Sequence, residues 1–520
     1  MTEISSLVTR PQRNCQQNRD AFIEEARTEC SAFGADLVFE AKSWDVSQYC
    51  PRPAGKSGRK VVLYFTTHDN GTTKGEGKRV ALQEPFASVI KAIVRTKKDG
   101  NPKVGQGPID ILIRASRFLI PLLEDRAFDP CLILPSDFDA ACEAIKAHSD
   151  SPDTRYRLGN ALQQISVTLT GRGIPQFNFI WRNSLRRPQT SVRVGRTAEA
   201  AKRKKMPETE VLDELARLSH LVCETSDLIL MAAVKLFHCA PWRIGEVNTL
   251  PADCWVEKEV TDADGFNVDA DSGSQIRYGI RYWPEKAENA DIKWLPSAMV
   301  PVARSAVDTL LSASEGPREL AAWYENNPGR AWLPGEDLGS HQRYTIPEVS
   351  EMFGLSCPSA ARQWLKTRDV PIDKGTVPHT VLRGDVEDVL LNAWHKFDFL
   401  EGDRRAVRRS NHLFLTFANQ HSFRNTNPCM IGFTTDRHIS DFLTGRRNGQ
   451  KGKVRSIFDR FGSVGSDGVA MRVNSHAFRH WLNTLAQRGG LNDLLVARWS
   501  GRKDIGQNSA YDHVSGVEFA

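Results

Sequence analysis

The chain has 520 residues, 40% hydrophobic and 25% charged, with a formal net charge of +6. That length predicts two to four domains with real cores, and so mild a positive balance is by itself too weak to specify a polyanionic partner. Residues 1–20 are polar and no apolar run approaches eighteen residues, so neither a signal peptide nor a transmembrane helix is expected and a cytoplasmic protein is predicted.

The predicted elements begin with a helix over 18–33 and a strand over 60–66, and nothing in residues 1–80 points to a function. Between 84 and 174, four stretches (85–94, 109–123, 138–147 and 155–169) place apolar residues at three and four spacing, which predicts a small helical bundle. A basic segment follows at 186–205. It holds Arg186, Arg187, Arg193, Arg196, Lys202, Arg203, Lys204 and Lys205 against the single acid Glu199. Such a run is either a solvated linker or a segment that tracks phosphates.

At 237–250 an apolar helix ending near Phe237 gives way to a short turn, and Arg243 stands at the start of a new amphipathic helix carrying Glu246 and Leu250. Unpaired N–H groups at a helix start and a guanidinium fork both favour an oxyanion. Residues 276–283 alternate as a strand, and Lys293-Trp294-Leu295-Pro296 reads as the returning strand of a hairpin. Lys286 lies in the turn between them; Lys293 competes with it as the functional lysine, and a plain surface lysine is the third reading. The Asp- and Gly-rich stretch 261–274 reads as an exposed insertion.

Residues 344–356 predict a helix and a glycine turn, 357–366 a second helix, and 377–389 a wing followed by a third helix. The second helix would present Arg362, Gln363 and Lys366 to a major groove. The plainer alternative is a helical insertion used for packing or protein contact. Arg404, Arg405, Arg408 and Arg409, then Arg446, Arg447, Lys451 and Lys453, are further candidate phosphate contacts.

Near the C-terminus Ser475 or Asn474 can cap a helix from His476 to about Arg488, ended by Gly489-Gly490. His476 and Arg479 then lie one turn apart and can converge on one anion, with Phe478, Trp481, Leu482 and Leu485 facing mostly inward. Alone, this is equally a His and an Arg on a solvated helix end. Trp499-Ser500-Gly501-Arg502 and Tyr511-Asp512-His513 follow.

Taken together, these blocks resemble the tyrosine recombinase (phage integrase) family. Arg243, Glu246 and Leu250 fall on its first arginine box, Thr-Gly-x-Arg-x-x-Glu-x-x-x-Leu, with Pro241-Trp242 in place of Thr-Gly. His476, Arg479 and His480 fall on the second box, His-x-x-Arg-His. The offsets of 23 positions from Arg479 to Arg502 and 9 from Arg502 to Tyr511 agree with the family's spacing. At the place usually held by His or Trp the chain has Arg502, which can donate to a phosphate but cannot shuttle protons. Lys286 matches the family's hairpin lysine by position. The 190 positions from Lys286 to His476 exceed the family's usual connection, and the segment at about 340–395 that fills them is similar to excisionase-like winged helix-turn-helix domains.

The resemblance implies a mainly α fold with small β-sheets (α+β). Its parts would be a helical core-binding domain over 81–185, the basic linker at 186–205 and a catalytic domain over 206–520. It further implies cleavage and rejoining of double-stranded DNA through a 3′-phosphotyrosyl link, with Tyr511 as nucleophile. A tyrosine hydroxyl with a pKa near 10 needs such help. His476 would be its base, Arg243, Arg479 and Arg502 the stabilisers of phosphate charge, and Lys286 the acid for the departing 5′ oxygen. A tetramer on two sites and accessory DNA-bending or directionality proteins are the implied partners. The phosphotyrosyl bond conserves the energy of the cleaved one, so no nucleotide or metal is required. The chain has no His-Glu-x-x-His and its ten cysteines include no Cys-x-x-Cys, so no cofactor is predicted and the thiols read as reduced. Only nine residues follow Tyr511, too few for the helix that family members often dock on a neighbouring protomer. Two other readings are a non-cleaving DNA-binding regulator on the same scaffold and a relaxing enzyme similar to type IB topoisomerases.

Overall fold

The computed structural model describes residues 14–50, 61–67, 80–187, 205–261, 274–285, 289–334, 342–396, 408–447 and 453–501. These form a mainly α chain with small antiparallel sheets, and the chain divides near residue 190 into two compact units. Among the described residues no helix is long and apolar enough to cross a membrane.

The first unit joins residues 14–50 and 61–67 to the predicted bundle around one core. Helix α1 (Cys15–Thr28) starts at Asn14, whose side chain accepts from Gln17 N while Gln17 returns a bond to Asn14 N. Strands β1 (Ser43–Asp45) and β2 (Val62–Tyr64) pair antiparallel. The four predicted helical stretches correspond to α2 (Phe86–Gly100), α3 (Gln106–Ser116) with short turns after it, α4 (Pro135–His148) and α5 (Pro152–Gly171). Two basic residues of α2 bind the N-terminal segment to the bundle. Buried Lys91 donates to the Glu40 carbonyl at 3.0 Å, and Arg95 donates to the carbonyls of Ala32, Arg27 and Gly34. Residues 14–50 and 61–67 therefore contribute to the bundle's core, a relationship that their sequence did not reveal.

In the second unit, α6 (Thr209–Leu218) is amphipathic and α7 (Thr225–Cys239) is buried along most of its length. After α7 comes the short helix α8 (Ile244–Val247). The antiparallel sheet β3 (Trp255–Thr261), β4 (Ser274–Tyr282) and β5 (Asp291–Trp294) has β4 at its centre, with Ile280 opposite Lys293. Helices α9 (Val300–Ala313) and α10 (Glu315–Asn326) follow.

Next comes a subsidiary module with its own core of Tyr344, Ile346, Val349, Phe353, Ala361, Leu365, Val381 and Val386. It comprises β6 (Arg343–Thr345), α11 (Ile346–Met352), α12 (Pro358–Lys366), β7 (Thr380–Leu382) and α13 (Arg383–Lys396), with β6 and β7 paired antiparallel. The hairpin of β8 (Leu415–Ala418) and β9 (Asn427–Phe433) lies against it, through Cys429 in the same core. The unit closes with α14 (Asp436–Thr444), α15 (Ile457–Phe461), α16 (Ser475–Arg488) and α17 (Asp493–Trp499).

Candidate active site

The two arginine-bearing segments converge on one buried carboxylate. Arg243 occupies the N-cap of α8, and its own N–H donates to Glu246 Oε2 at 2.9 Å while its Nη1 donates to Glu246 Oε1 at 2.7 Å. A short helix start thus orients Glu246 through its backbone and holds the arginine fork beside it. Arg243 also lies 3.8 Å from Glu285 and is the least buried cation of the group, its side chain 13% exposed.

Arg479 reaches the same carboxylate from α16. The Asn474 side chain caps that helix by accepting from Ala477 N at 2.9 Å, and Gly490, at φ +82°, ends it with a 6→1 bond from Leu491 N to the Ala486 carbonyl. Phe478 turns inward and stacks on Phe237 of α7. The Arg479 side chain is buried, donating to the carbonyls of Pro241 at 2.6 Å and Ser500 at 2.7 Å, with Glu246 Oε2 at 4.0 Å. One guanidinium thereby joins the turn before Arg243 to the C-cap of α17. Asn483 reinforces the arrangement, donating to the Arg479 carbonyl and accepting from Ser500 Oγ.

Lys293 completes the cluster from β5. Its amine is 3.8 Å from Glu246 Oε2 and donates to Tyr282 Oη at 3.1 Å and to the Trp499 carbonyl at 3.0 Å, beneath the rings of Trp242 and Tyr282. Burial pushes the lysine pKa down; Glu246 opposes that while Arg479 and Arg243 add to it, leaving a value of about 7. Burial alone would raise the Glu246 pKa, but Lys293, Arg479 and Arg243 outweigh it and hold the carboxyl below its ordinary range. Burial first, and then Glu246, push the Tyr282 hydroxyl far up, so it stays protonated. Three cationic side chains around one carboxylate form a net-positive nest, chemically suited to an anionic group arriving at the Arg243 side.

The other predicted positions divide as follows. His476 is exposed at the start of α16, its ring 4.8 Å from that of buried His480, while Arg479 turns inside; one helical turn separates them but their environments differ. Leu485, expected inside, is 43% exposed, because it falls on the outer face of α16. Arg186 and Arg187 are exposed in the first unit, Lys205 is exposed in the second, and Arg362 and Lys366 are exposed on α12. Lys286, Arg502, Tyr511, Lys202, Arg203 and Lys204 lie outside the described residues. No sequence motif points to a site role for Tyr282 or for the carbonyls of Pro241, Trp499 and Ser500. Glu246 entered only as a motif position, although its place three residues after Arg243 is the spacing of a capping pair.

No protein-family model matches the chain, and no curated protein matches it. Among solved structures it is similar to XerH site-specific recombinase bound to palindromic difH substrate in a post-cleavage complex. The TM-score is 0.41 at 9% identity, covering 98% of this chain and 96% of that one. A pre-cleavage complex of XerH with difH gives 0.39 at 9% identity over 97% and 95%, and XerA recombinase 0.23 at 13% over 83% and 94%. At these TM-scores the likeness says nothing about the chemistry of the site.

Proposed function

We propose that the chain is a DNA strand-cleaving and rejoining enzyme of the tyrosine recombinase type, acting as the integrase of a mobile element. The observation that carries this reading is the meeting of Arg243 and Arg479 on the Glu246 carboxylate, since these residues come from two distant segments that each match an arginine box. Arg243 and Arg479 stabilise charge on the non-bridging oxygens of the scissile phosphate. Tyr511 Oη attacks phosphorus and gives its proton to His476, whose exposed position lets it meet a nucleophile arriving from outside the core. The tyrosyl O–P bond forms, the P–O5′ bond breaks, and Lys286 supplies the proton taken up by the 5′ oxygen. Arg502 adds positive charge without proton transfer.

Lys293 is assigned a positioning part in this scheme. Its amine is 1% exposed and committed to Tyr282 and to the Trp499 carbonyl, so it cannot reach a leaving group without the hairpin opening. It neutralises Glu246 and ties β5 to the chain just ahead of Arg502 and Tyr511. Rejoining by a second strand's 5′ hydroxyl reverses the chemistry, and exchange between two sites requires several protomers, a tetramer in this reading, with accessory proteins setting direction.

The test is a nicked, end-labelled duplex drawn from the DNA flanking the encoding gene, incubated with wild type and with Tyr511→Phe and resolved on denaturing gels. A protein-linked band from wild type alone is expected. A comparable band from Tyr511→Phe, or none from wild type when a native gel shows binding, overturns the assignment.

A further inference from the structure

The module at 342–396 is built around a tight turn between two helices. Thr345 caps α11, accepting from Glu348 N, and the helix ends at Gly354, whose φ of +59° carries the 6→1 bond from Leu355 N to the Ser350 carbonyl. A side chain at Gly354 would also strike the Thr426 carbonyl, its Cβ only 2.7 Å away, so the turn is pressed against the β8–β9 hairpin. Helix α12 is sharply two-faced. Ala361 and Leu365 are fully buried, and Phe353 packs on Trp364 with ring centroids 4.5 Å apart. Ser359, Arg362, Gln363 and Lys366, at positions i, i+3, i+4 and i+7, are all exposed.

Charge on this face is not compensated as elsewhere in the module. Arg343 pairs with Asp373, and Arg383 with Glu387, whereas Arg362 and Lys366 make no ion pair among the described residues. Just past α12, Arg368 lies over the Trp364 ring at 4.1 Å and feels the like charge of Arg424 from the adjacent hairpin tip. Between α12 and β7 the chain forms a second projection. It is closed by the Asp373–Thr380 bridge, with exposed Lys374 and with Val377 95% exposed at its tip. A nine-residue helix is about 13 Å long and has the girth that enters a major groove roughly 12 Å wide. Arg and Gln side chains on such a helix match guanine O6/N7 and adenine N6/N7.

We propose that α12 is a second, sequence-reading contact to double-stranded DNA. In this arrangement Arg362 and Gln363 face base edges, Lys366 and Arg368 face phosphates, and the Lys374 projection lies along the neighbouring backbone. The proposal builds on the chain being a DNA-acting enzyme but not on strand cleavage. It requires the recognised duplex to extend past the base pairs next to the reacting phosphate, in a block read by this module alone.

The experiment uses the full chain carrying Tyr511→Phe, so that cleavage plays no part, and selects from a random-sequence duplex library. The same selection is run with Arg362→Ala/Gln363→Ala added. The expected result is a binding site with separate blocks in the parent, of which one disappears in the variant while the rest is kept. Affinity for the parent's selected site should fall tenfold or more. Unchanged melting temperature, expected because both side chains are exposed, shows that the variant is folded. A photocrosslinking residue placed at 363 should become attached to the selected duplex. An identical selected site in the variant, or a residue 363 that crosslinks only to protein or to RNA, overturns this proposal and leaves the catalytic reading standing. Failure of the parent to enrich any duplex sequence overturns both.

Discussion

Lys293 Nζ stands 3.8 Å from Glu246 Oε2, and both side chains are almost wholly buried. The carboxylate is shared with Arg243 at 2.7 Å and Arg479 at 4.0 Å, so the lysine is the third cation on one anion. Its depressed pKa gives a stability signature. The folded protein binds the proton less tightly (about 7) than the unfolded chain does (10.5). Between those values the unfolded state holds more protons, so stability contributed through Lys293 rises with pH over that range; it is lost progressively as pH falls from 10.5 toward 7 and does not change further below it. Urea melts of wild type and Lys293→Met at pH 6, 7.5 and 9 should show the difference between them shifting toward wild type by on the order of 2 kcal/mol from pH 7.5 to 9. A difference independent of pH would mean that Lys293 does not titrate in this window.

Lys286 and Lys293 are separated by a substrate that needs no proton. Replacing the bridging 5′ oxygen by sulfur gives a leaving thiol with a pKa of about 8.5, which departs as the anion. Cleavage by Lys286→Ala should be weak on the ordinary duplex and restored toward wild type on the sulfur substrate. Lys293→Met should be impaired on both, because it loses positioning and not proton donation. The reverse pattern would give the acid role to Lys293.

Glu246→Gln removes the carboxylate on which three cations converge. Breaking such a buried group by removing one partner typically costs about 3–5 kcal/mol. The variant should melt lower, and single-turnover cleavage should fall by about a hundredfold or more, because the glutamine amide offers one acceptor oxygen where the carboxylate offers Arg243 two, and carries no charge for the three cations. Duplex affinity should change little, since Glu246 touches no exposed surface. Loss of binding in step with cleavage would mean that the carboxylate supports the whole DNA surface and not the site alone.

The sequence was most legible where one element carries its own signals. Helix α16 has a capping Asn474, regular apolar spacing and the Gly489-Gly490 stop, and it forms Ser475–Arg488 close to the predicted bounds. Strand β4 was readable for the same reason, by its alternation. Strand β3 was not: Glu257-Lys258-Glu259 breaks the apolar alternation, as is common at the edge of a sheet. Least legible were the fates of individual charges. Arg479 and His476 share a helical spacing, yet one is buried and the other exposed, because the carbonyls that receive Arg479 belong to Pro241 and Ser500, distant in the chain. For Lys293 the sequence leaves both a functional and a surface lysine open, because its burial depends on Glu246, 47 positions earlier in the chain.

Gly501 joins this cluster to the segment that leads to Tyr511. Its φ of +63° is in the left-handed region, and a Cβ there would lie 2.6 Å from Tyr282 Oη and 3.7 Å from Lys293 Nζ. Gly501→Ala must therefore either displace Tyr282 from the Lys293 amine or change the direction in which the chain leaves α17. A conformational cost of about 1–3 kcal/mol is expected. Because the strain falls on the connection to Tyr511, the proposed nucleophile, and not on the exposed basic surfaces, formation of the protein–DNA adduct should drop by tenfold or more while duplex binding stays within a factor of a few. Adduct formation is read on denaturing gels and affinity on native gels with the same duplex. Adduct formation at the wild-type rate would show that the path of the chain after α17 does not depend on the close approach of Gly501 to Tyr282.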